Sequence, residues 1–511
     1  MKLESLPGRH GYETVLLNGV ALHSRYNPQR EAERFLDGAR LSAPLRAVVV
    51  TGEGLPYLSG LIARRFPQAR VLALGIGPGS PATEADVDWI DVRGMRSGSL
   101  RARLRSRLDP LAVAALELIT WEPARRLAPE LIEQVEQAVL AALGDLRSEL
   151  ATVGSFGLRW LRNSLLNALL PPQQAGIVLS GSRALLATSG PSLSAALRHR
   201  DPRAPVVATS SAWHTLRSHA VTPVLLVHTD GGHWARRYLS ARRPGGGRIP
   251  VLMPARAAVA WRNAPQVLPV FLRTGWIGEQ LHPDADTWTA GTDQPSVALT
   301  MIDRLTALNP QLAVQLAGFD LMSRGLRSHA RPHPNDRYLA MRATRRSAPE
   351  TQWAGRVIRG APAAGAWSDG RPGYRSAALD AVRSDLLATV QPLASAGRAW
   401  LPEEPVPLPP TAAELGIRRG RPGGAPLKVV TEQRRRPDRA LRARHAREVI
   451  TNWTRSCRDP HAASSELLLH LAPLELLAWQ RGEGSAEELR DAALRSLHRL
   501  QRVVEAIHGG S

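Results

Sequence analysis

Leu185-Leu186-Ala187-Thr188-Ser189-Gly190-Pro191-Ser192-Leu193 is the stretch that decides how the middle of this chain folds. Leu185 to Ala187 read as a buried parallel strand, Gly190 permits a tight turn, and Pro191 suits the first position of a helix, where its missing N–H needs no partner. The N–H groups of Ser192 and Leu193 would then be open donors above the sheet, a setting that favours a phosphate or a carboxylate. An ordinary strand-to-helix turn has the same look, so the surroundings carry the decision.

Downstream, Val206-Val207-Ala208 leads into a helical stretch through Leu216. Val224 to Val227 ends at His228-Thr229-Asp230, and Leu312 to Ala317 ends at Gly318-Phe319-Asp320. Apolar strands that end in a glycine turn or an acid and are separated by helix-length segments predict a doubly wound, Rossmann-like α/β sheet. Ligands of such sheets bind beyond the carboxyl ends of the strands, which puts Ser189, Asp230 and Asp320 on one edge.

The order of motifs resembles a family. SGPSLS, then VLLVHTDGG, then QPSVALTMIDRL and LAGFDL look like the central domain of the bacterial motility accessory factors, the flagellin glycosyltransferases. That domain is similar to archaeal pterin diphosphokinase-like proteins, and its GPSL and G-x-D-L elements resemble those of sialyltransferases that use CMP-sugars. Further likeness lies in LHSRYNPQREAERF (Leu22 to Phe35), in ITWEP around Trp121 and in GSFGLRWLRNSLLN (Gly154 to Asn167). It covers about residues 10 to 345. The resemblance implies transfer of a nonulosonic, sialic-acid-like sugar from a CMP donor to Ser or Thr of flagellin or a related protein, with the need for a divalent metal left open.

The 511-residue chain is 43% hydrophobic, enough for several domains with cores of their own. Residues 1–150 read as an N-terminal Rossmann-like α/β domain and 151–345 as the glycosyltransferase-like domain. Residues 346–425, rich in Pro and Gly, read as a lid or linker, and 426–511 as a helical C-terminal region. No run approaches the roughly 20 apolar residues of a membrane span, Met1-Lys2-Leu3-Glu4 opens no signal peptide, and Cys457 is the single cysteine; the expectation is a cytoplasmic protein. A net charge of +21 raises nucleic acid as a partner, yet only Lys2 and Lys428 are lysines and arginine is spread along every segment. The densest run, Arg434 to Arg447, has no aromatic residue for base stacking, so it reads as a solvated helix or a contact with an acidic protein, and nucleic acid is disfavoured.

Within the first domain, Ala47 to Val50 form a strand before Thr51-Gly52-Glu53-Gly54, a G-x-G that lacks the third glycine of a dinucleotide fingerprint. Phe156, Trp160, Asn163 and Asn167 share one helical face, where buried amides would orient a loop or a ligand. Ser485 to Glu488 has capping-box spacing; Leu489, Ala493, Leu497, Leu500, Val504 and Ile507 make the stripe of a last helix, and Gly509 stops it.

Transfer from a sugar nucleotide needs a seat for the nucleotide, donors for the departing phosphate and a base for the acceptor hydroxyl. Ser189, Gly190, Pro191, Ser192 and Leu193 are the expected anion turn. Ser210 and Ser211 would bond the sugar or the base, and Ser296 begins a helix that offers further donors. By resemblance, Asp230 stands where the sialyltransferases have a nucleotide-contacting asparagine, fit to bind ribose, hold a metal or act as base. The family follows this acid with proline; here Gly231-Gly232-His233-Trp234 follows. Asp320 is the second candidate acid, because Gly318 lets a ligand approach the backbone. It also reads as an N-cap for the segment that follows it. His329 is the candidate base for the acceptor hydroxyl, although the sialyltransferases carry theirs in another local context. Pro332 and Pro334 break the helix that would make His329 and His333 a zinc pair. Two other functions stay open: phosphoryl transfer of the pterin diphosphokinase kind, against which the chain has no G-x-x-x-x-G-K-S/T loop, and a non-catalytic binding protein that keeps the fold.

Overall fold

The computed structural model describes residues 2–8, 11–39, 41, 45–77, 87–171, 173–240, 246–292, 294–325, 327–336, 363–375, 377–402 and 406–508. Met1–Leu158 with Trp453–His498 form one compact unit, and Arg159–Asn452 with Arg499–Ser511 a second.

The first unit opens with an antiparallel sheet of β1 (Leu3–Pro7), β2 (Glu13–Leu17) and β3 (Val20–Ala21), followed by α1 (Pro28–Gly38). Its parallel sheet has the order β6-β5-β4-β7, from β4 (Ala47–Thr51), β5 (Arg70–Gly75), β6 (Val87–Asp91) and β7 (Leu116–Thr120). α2 (Tyr57–Arg65) follows β4, α3 (Ser97–Arg107) follows β6 and α4 (Glu122–Leu127) follows β7. The β4 run AVVVT is β-branched and buried throughout, as a parallel strand covered on both faces requires. α5 (Pro129–Leu169) is one helix of 41 residues. Gly154 and Gly157 in GSFGL let it close on the C-terminal helices α12 (Ser465–Leu471) and α13 (Pro473–Gln480): a Cβ at Gly157 would lie 2.9 Å from the His470 Cα.

The second unit holds the predicted Rossmann-like sheet, nine strands in the order β14-β13-β12-β11-β10-β9-β15-β18-β19, with every pairing parallel. The strands are β9 (Arg183–Ala187), β10 (Val206–Thr209), β11 (Leu225–Val227), β12 (Ile249–Pro254), β13 (Val267–Arg273), β14 (Thr289–Ala290), β15 (Ala313–Ala317), β18 (Ala399–Leu401) and β19 (Arg418–Arg419). From β9 the chain steps outward to β14, then returns to place β15 on the other side of β9, so the winding reverses between β9 and β15. Period-two alternation divides the core. Leu185 and Ala187 pack with α6 (Leu193–Arg198) and α7 (Trp213–Ser218) on one face. Ala184 and Leu186 pack with α8 (Val297–Leu308) and α9 (Ala377–Ser395) on the other.

Two sequence readings are corrected. Of the predicted lid or linker, residues 346–362, 376 and 403–405 lie outside the described residues. The rest forms the hairpin β16 (Ala363–Ala366) and β17 (Pro372–Tyr374), α9, β18, α10 (Pro410–Glu414) and β19. Leu386, Val390 and Leu393 of α9 are buried against the sheet, an apolar face that outweighed the flanking prolines. The arginine run, secondly, is solvated only in part: Arg434, Arg435, Arg439, Arg444 and Arg447 are exposed, whereas Arg436 and Arg442 are buried. It spans β20 (Lys428–Arg435), antiparallel to β8 (Gln173–Ser180), and α11 (Arg439–Ser456). Arg436 is buried and pairs with Asp284 at 3.0 Å while donating to the Asn167 carbonyl; buried Arg442 donates to the Ala168 and Pro171 carbonyls. Both cations thus sit on the carbonyl end of α5, where the helix dipole is negative. The last helix, α14 (Ala486–His508), begins with the predicted capping box, Glu488 N–H donating to Ser485 Oγ at 3.1 Å and Ser485 N–H to Glu488 Oε2 at 2.9 Å. Leu489, Ala493, Leu497, Leu500 and Val504 are buried, Ile507 is half-buried, and Gly509 lies outside the described residues.

Candidate functional site

The predicted turn follows β9 at the reversal point, but its donors are spent inside the protein. The Ser192 N–H and hydroxyl donate to the two carboxylate oxygens of Asp320, each at 2.7 Å, and the Leu193 N–H turns back to the Gly190 carbonyl at 3.0 Å. Consequently α6 starts at Leu193 rather than at Pro191, and the Ser192 hydroxyl, engaged by Asp320, makes no cap bond to it. The anion at this helix start is the protein's own side chain.

Gly318 and Gly190 make that closure feasible. The Gly190 N–H donates to the Gly318 carbonyl at 3.0 Å, and the Thr188 hydroxyl donates to the same oxygen. A Cβ at Gly190 would fall 2.2 Å from the Gly318 oxygen and 2.5 Å from Asp320 Oδ2; Gly318 has φ +75° and no room beside the Thr188 oxygen. Asp320 is 2% exposed and caps no following helix, and burial raises its carboxyl to about 6 against the opposing pull of the Ser192 donors and the Arg324 charge.

What remains on the edge is hydroxyl, imidazole and one exposed carboxylate. Ser211 donates to Ser189 at 3.1 Å across the ends of β10 and β9, and both are half-buried. Ser210 points inward to His228 Nδ1 at 2.7 Å, while His228 Nε2 meets the Ala258 carbonyl at 3.0 Å. A carbonyl only accepts, so Nε2 carries the proton and Nδ1 accepts from Ser210. Burial holds this imidazole neutral, and the Ala258 N–H in turn donates to the Asp230 carbonyl at 2.9 Å. Asp230 itself is exposed, its carboxylate taking the Gly232 N–H at 2.6 Å. With strands about 4.8 Å apart, the end of β11 stands about 10 Å from that of β9.

Residues 328–336 dock beside this row. The Ala330 N–H donates to the Ser189 carbonyl at 2.8 Å and the Thr215 hydroxyl to the Pro332 carbonyl at 3.0 Å. His329 stacks on His333 with centroids 4.3 Å apart, and Tyr238 meets His333 edge-on at 5.8 Å. Burial lowers His329; burial, then the charges of His329 and His214, bring His333 to about 3; burial, then the Asp230 charge, push the Tyr238 hydroxyl up to about 12. At neutral pH both imidazoles are therefore proton acceptors and the phenol is a donor.

The structure thus gathers Ser189, Gly190, Pro191, Ser192, Leu193, Ser211, Gly318, Asp320 and His329 around the β9–β15 reversal, with Asp230 on the same edge. Ser296 is engaged locally, its hydroxyl accepting the Leu299 N–H as the cap of α8. Among the described residues no three His, Cys, Asp or Glu side chains converge as a metal site. Sequence reasoning missed His228, His214, His333 as a ring partner, and Tyr238, since nothing in spacing brings Tyr238 and His333 into ring contact or sets His228 on Ser210 and Ala258. It did single out Asn163 and Asn167, which hold loops: Asn163 Nδ2 donates to the Gly231 and Arg256 carbonyls, both at 3.0 Å, and Asn167 Nδ2 to those of Ala255 and Ala257 at 2.7 and 2.9 Å.

No family model matches this chain. An uncharacterized protein of Treponema pallidum (strain Nichols) is 28% identical over 251 residues, 47% of this chain and 55% of that protein, so the chain spans about half the length of this relative. A second uncharacterized protein of the same organism is 25% identical over 210 residues, 37% of this chain and 68% of the other. Among solved structures, a MAf glycosyltransferase from Magnetospirillum magneticum AMB-1 is similar in fold, with a TM-score of 0.59 at 13% identity over 99% of this chain and 92% of that one.

Proposed function

We propose that the chain is a glycosyltransferase of the motility-accessory-factor kind, moving a nonulosonic acid from a CMP donor to a serine or threonine hydroxyl of flagellin or a related exported protein. The observation that carries this reading is the row of hydroxyls, neutral imidazoles and one exposed carboxylate along the carboxyl edge of a sheet whose fold is that of a MAf glycosyltransferase. A reaction that develops positive charge on the sugar and negative charge on the departing phosphate needs such groups beside an acceptor hydroxyl. In this assignment Ser189 and Ser211 bond the sugar or the base, and Asp230 contacts the ribose or takes the acceptor proton. His329, neutral and stacked on His333, is the other group able to take that proton. Asp320 becomes a positioning residue, since both its oxygens are committed to Ser192.

The test is to incubate the full chain with CMP-nonulosonic acids and flagellin and to weigh the acceptor. A mass increase of one sugar residue per site is expected; an unchanged acceptor with every such donor refutes the reading. Calorimetry of ATP against CMP addresses phosphoryl transfer: preference for ATP would replace the proposal.

A further inference from the structure

Asp230 and His329, the two groups assigned to take the acceptor proton, stand on separate loops, and neither loop fixes the other by itself. Asp230 runs into Gly231-Gly232, a backbone with little stiffness of its own. A line of four rings spans the interval. His228, two residues before Asp230, meets Tyr238 edge-on, with ring centres 6.4 Å apart and planes at 84°. Tyr238 meets His333 at 5.8 Å and 61°, and His333 stacks on His329 at 4.3 Å and 22°. Tyr238 is the ring that touches both sides.

The near end of the line is fixed. His228 is bonded to Ser210 and to the Ala258 carbonyl, and the Ala258 N–H holds the Asp230 carbonyl at 2.9 Å, so ring and acid share one anchor. Tyr238 closes the turn that leaves Asp230: the Ala235 N–H donates to the Gly232 carbonyl at 3.2 Å and the Tyr238 N–H to that of Ala235 at 3.0 Å. The far end depends on the rings. His333 Nδ1 accepts the Asn335 N–H at 3.3 Å, while its buried Nε2 has no hydrogen-bond partner, so the contacts with Tyr238 and His329 locate this imidazole. Backbone docking is separate and runs through α7: His214 Nε2 lies 3.3 Å from the Arg237 carbonyl, and the Thr215 hydroxyl donates to the Pro332 carbonyl at 3.0 Å. Without the Tyr238 ring the loops would stay docked, but the imidazoles would lose their spacing.

We propose that Tyr238 is a positioning residue of this edge: its ring, in contact with His228 and His333, holds the His329 imidazole at the place relative to Asp230 that the transfer step needs. This role rests on the reading of the edge as a glycosyltransferase site, and the experiment separates the two. The full chain is compared with Tyr238→Phe, which keeps the ring, and Tyr238→Leu, which removes it. Transfer from CMP-nonulosonic acid to flagellin gives kcat and KM, and NMR of histidine-labelled protein follows the imidazoles. In the Leu protein kcat is expected to fall about tenfold or more with KM for the donor within about threefold, because Ser189 and Ser211 are untouched; the Phe protein should keep kcat within about threefold. The His329 signal, one ring beyond the contact, should move in the Leu protein and hold in the Phe protein. In a His329→Ala background the Leu substitution should cost less than about twofold, since it acts through that imidazole. A loss in the Phe protein equal to that in the Leu protein, an unmoved His329 signal, or the same penalty with and without His329 overturns the assignment. An active wild type whose Leu variant keeps kcat within about twofold leaves the glycosyltransferase reading standing and removes the positioning role. A wild type that transfers no sugar, with the His329 signal still moving in the Leu protein, sinks that reading and leaves the ring coupling standing. Should the Leu protein fail to fold, His333→Leu removes the next ring in the line and carries the same expectations.

Discussion

The two parallel sheets of this chain end alike at one turn and differ in what surrounds it. In the first, the turn after β4 sets Glu53 on the amides of the following helix, Leu58 at 2.6 Å and Ser59 at 3.2 Å; in the second, the turn after β9 receives Asp320 on Ser192. Each puts an internal carboxylate where Rossmann-type folds put a phosphate. The first edge is then sealed. His23 Nε2 accepts the N–H groups of Gly54 and Leu55 at 3.1 and 3.0 Å, Trp121 Nε1 donates to the Leu22 carbonyl at 2.7 Å, and Thr51 to Leu55 are all buried. The second edge keeps an exposed aspartate, two half-buried serines and a stacked histidine pair. The two edges thus share a filled phosphate turn and differ in what lies beyond it: buried groups on the first, an exposed carboxylate and half-buried hydroxyls on the second.

The largest way to test this contrast is Asp230→Ala. If the second edge is the working one, transfer to flagellin should fall by about 10²–10⁴-fold with the thermal midpoint little changed, because Asp230 is exposed and makes one local bond. Retained transfer would return Asp230 to a loop-holding role. Next comes Gly190→Ala, whose Cβ has no space between Gly318 and Asp320; a loss of about 3 kcal/mol or more in urea unfolding is expected, and a fall under about 1 kcal/mol would show that the closure is loose.

Much of this contrast could be read from the chain, and the part that could not has a physical reason. Strand ends at Ala187, Ala317 and Val227 were legible because buried parallel strands are short apolar runs broken by glycine or an acid. The glycine at 190 was correctly read as a turn but its donors as open, since a sequence shows that Ser192 has an N–H and not that Asp320, 128 residues later, will arrive to take it. Leu22 to Phe35 and the ITWEP segment were legible only as resemblance. Their shared task appears when Trp121 donates to Leu22 and His23 covers the glycine turn. Arg436 and Arg442 failed for the opposite reason: composition marks arginine as surface, whereas the buried carbonyl end of a long helix calls for cations.

His23→Ala sharpens the comparison from the sealed side. Two buried amides would lose their acceptor, and denaturant unfolding should report a loss of about 2 kcal/mol, while CMP affinity stays that of the wild type. A nucleotide affinity gained in this variant would reveal that the first edge is a plugged binding site, and one lost would couple it to ligand binding.

The smallest effect is one of pH, and it has opposite signs for the two groups that seal the first edge. Burial raises Glu53 to about 7, so its proton is held more tightly in the folded chain than in the unfolded one; its contribution is favourable below the usual carboxyl range and is lost as pH rises through about 7. Burial depresses His23 to about 3, so its contribution is whole above the usual imidazole value near 6.5 and is lost as pH falls towards about 3. Glu53→Gln keeps an oxygen for the Leu58 and Ser59 amides without the charge, and so removes the first dependence and leaves the second. Its thermal midpoint relative to the wild type should therefore be higher at pH 8 than at pH 5, by a few degrees between the two. A difference that stays constant over that interval would mean that the Glu53 carboxylate is ionised at both pH values, held by its amides strongly enough to overcome its burial. The first edge would then carry a true internal anion in the phosphate position.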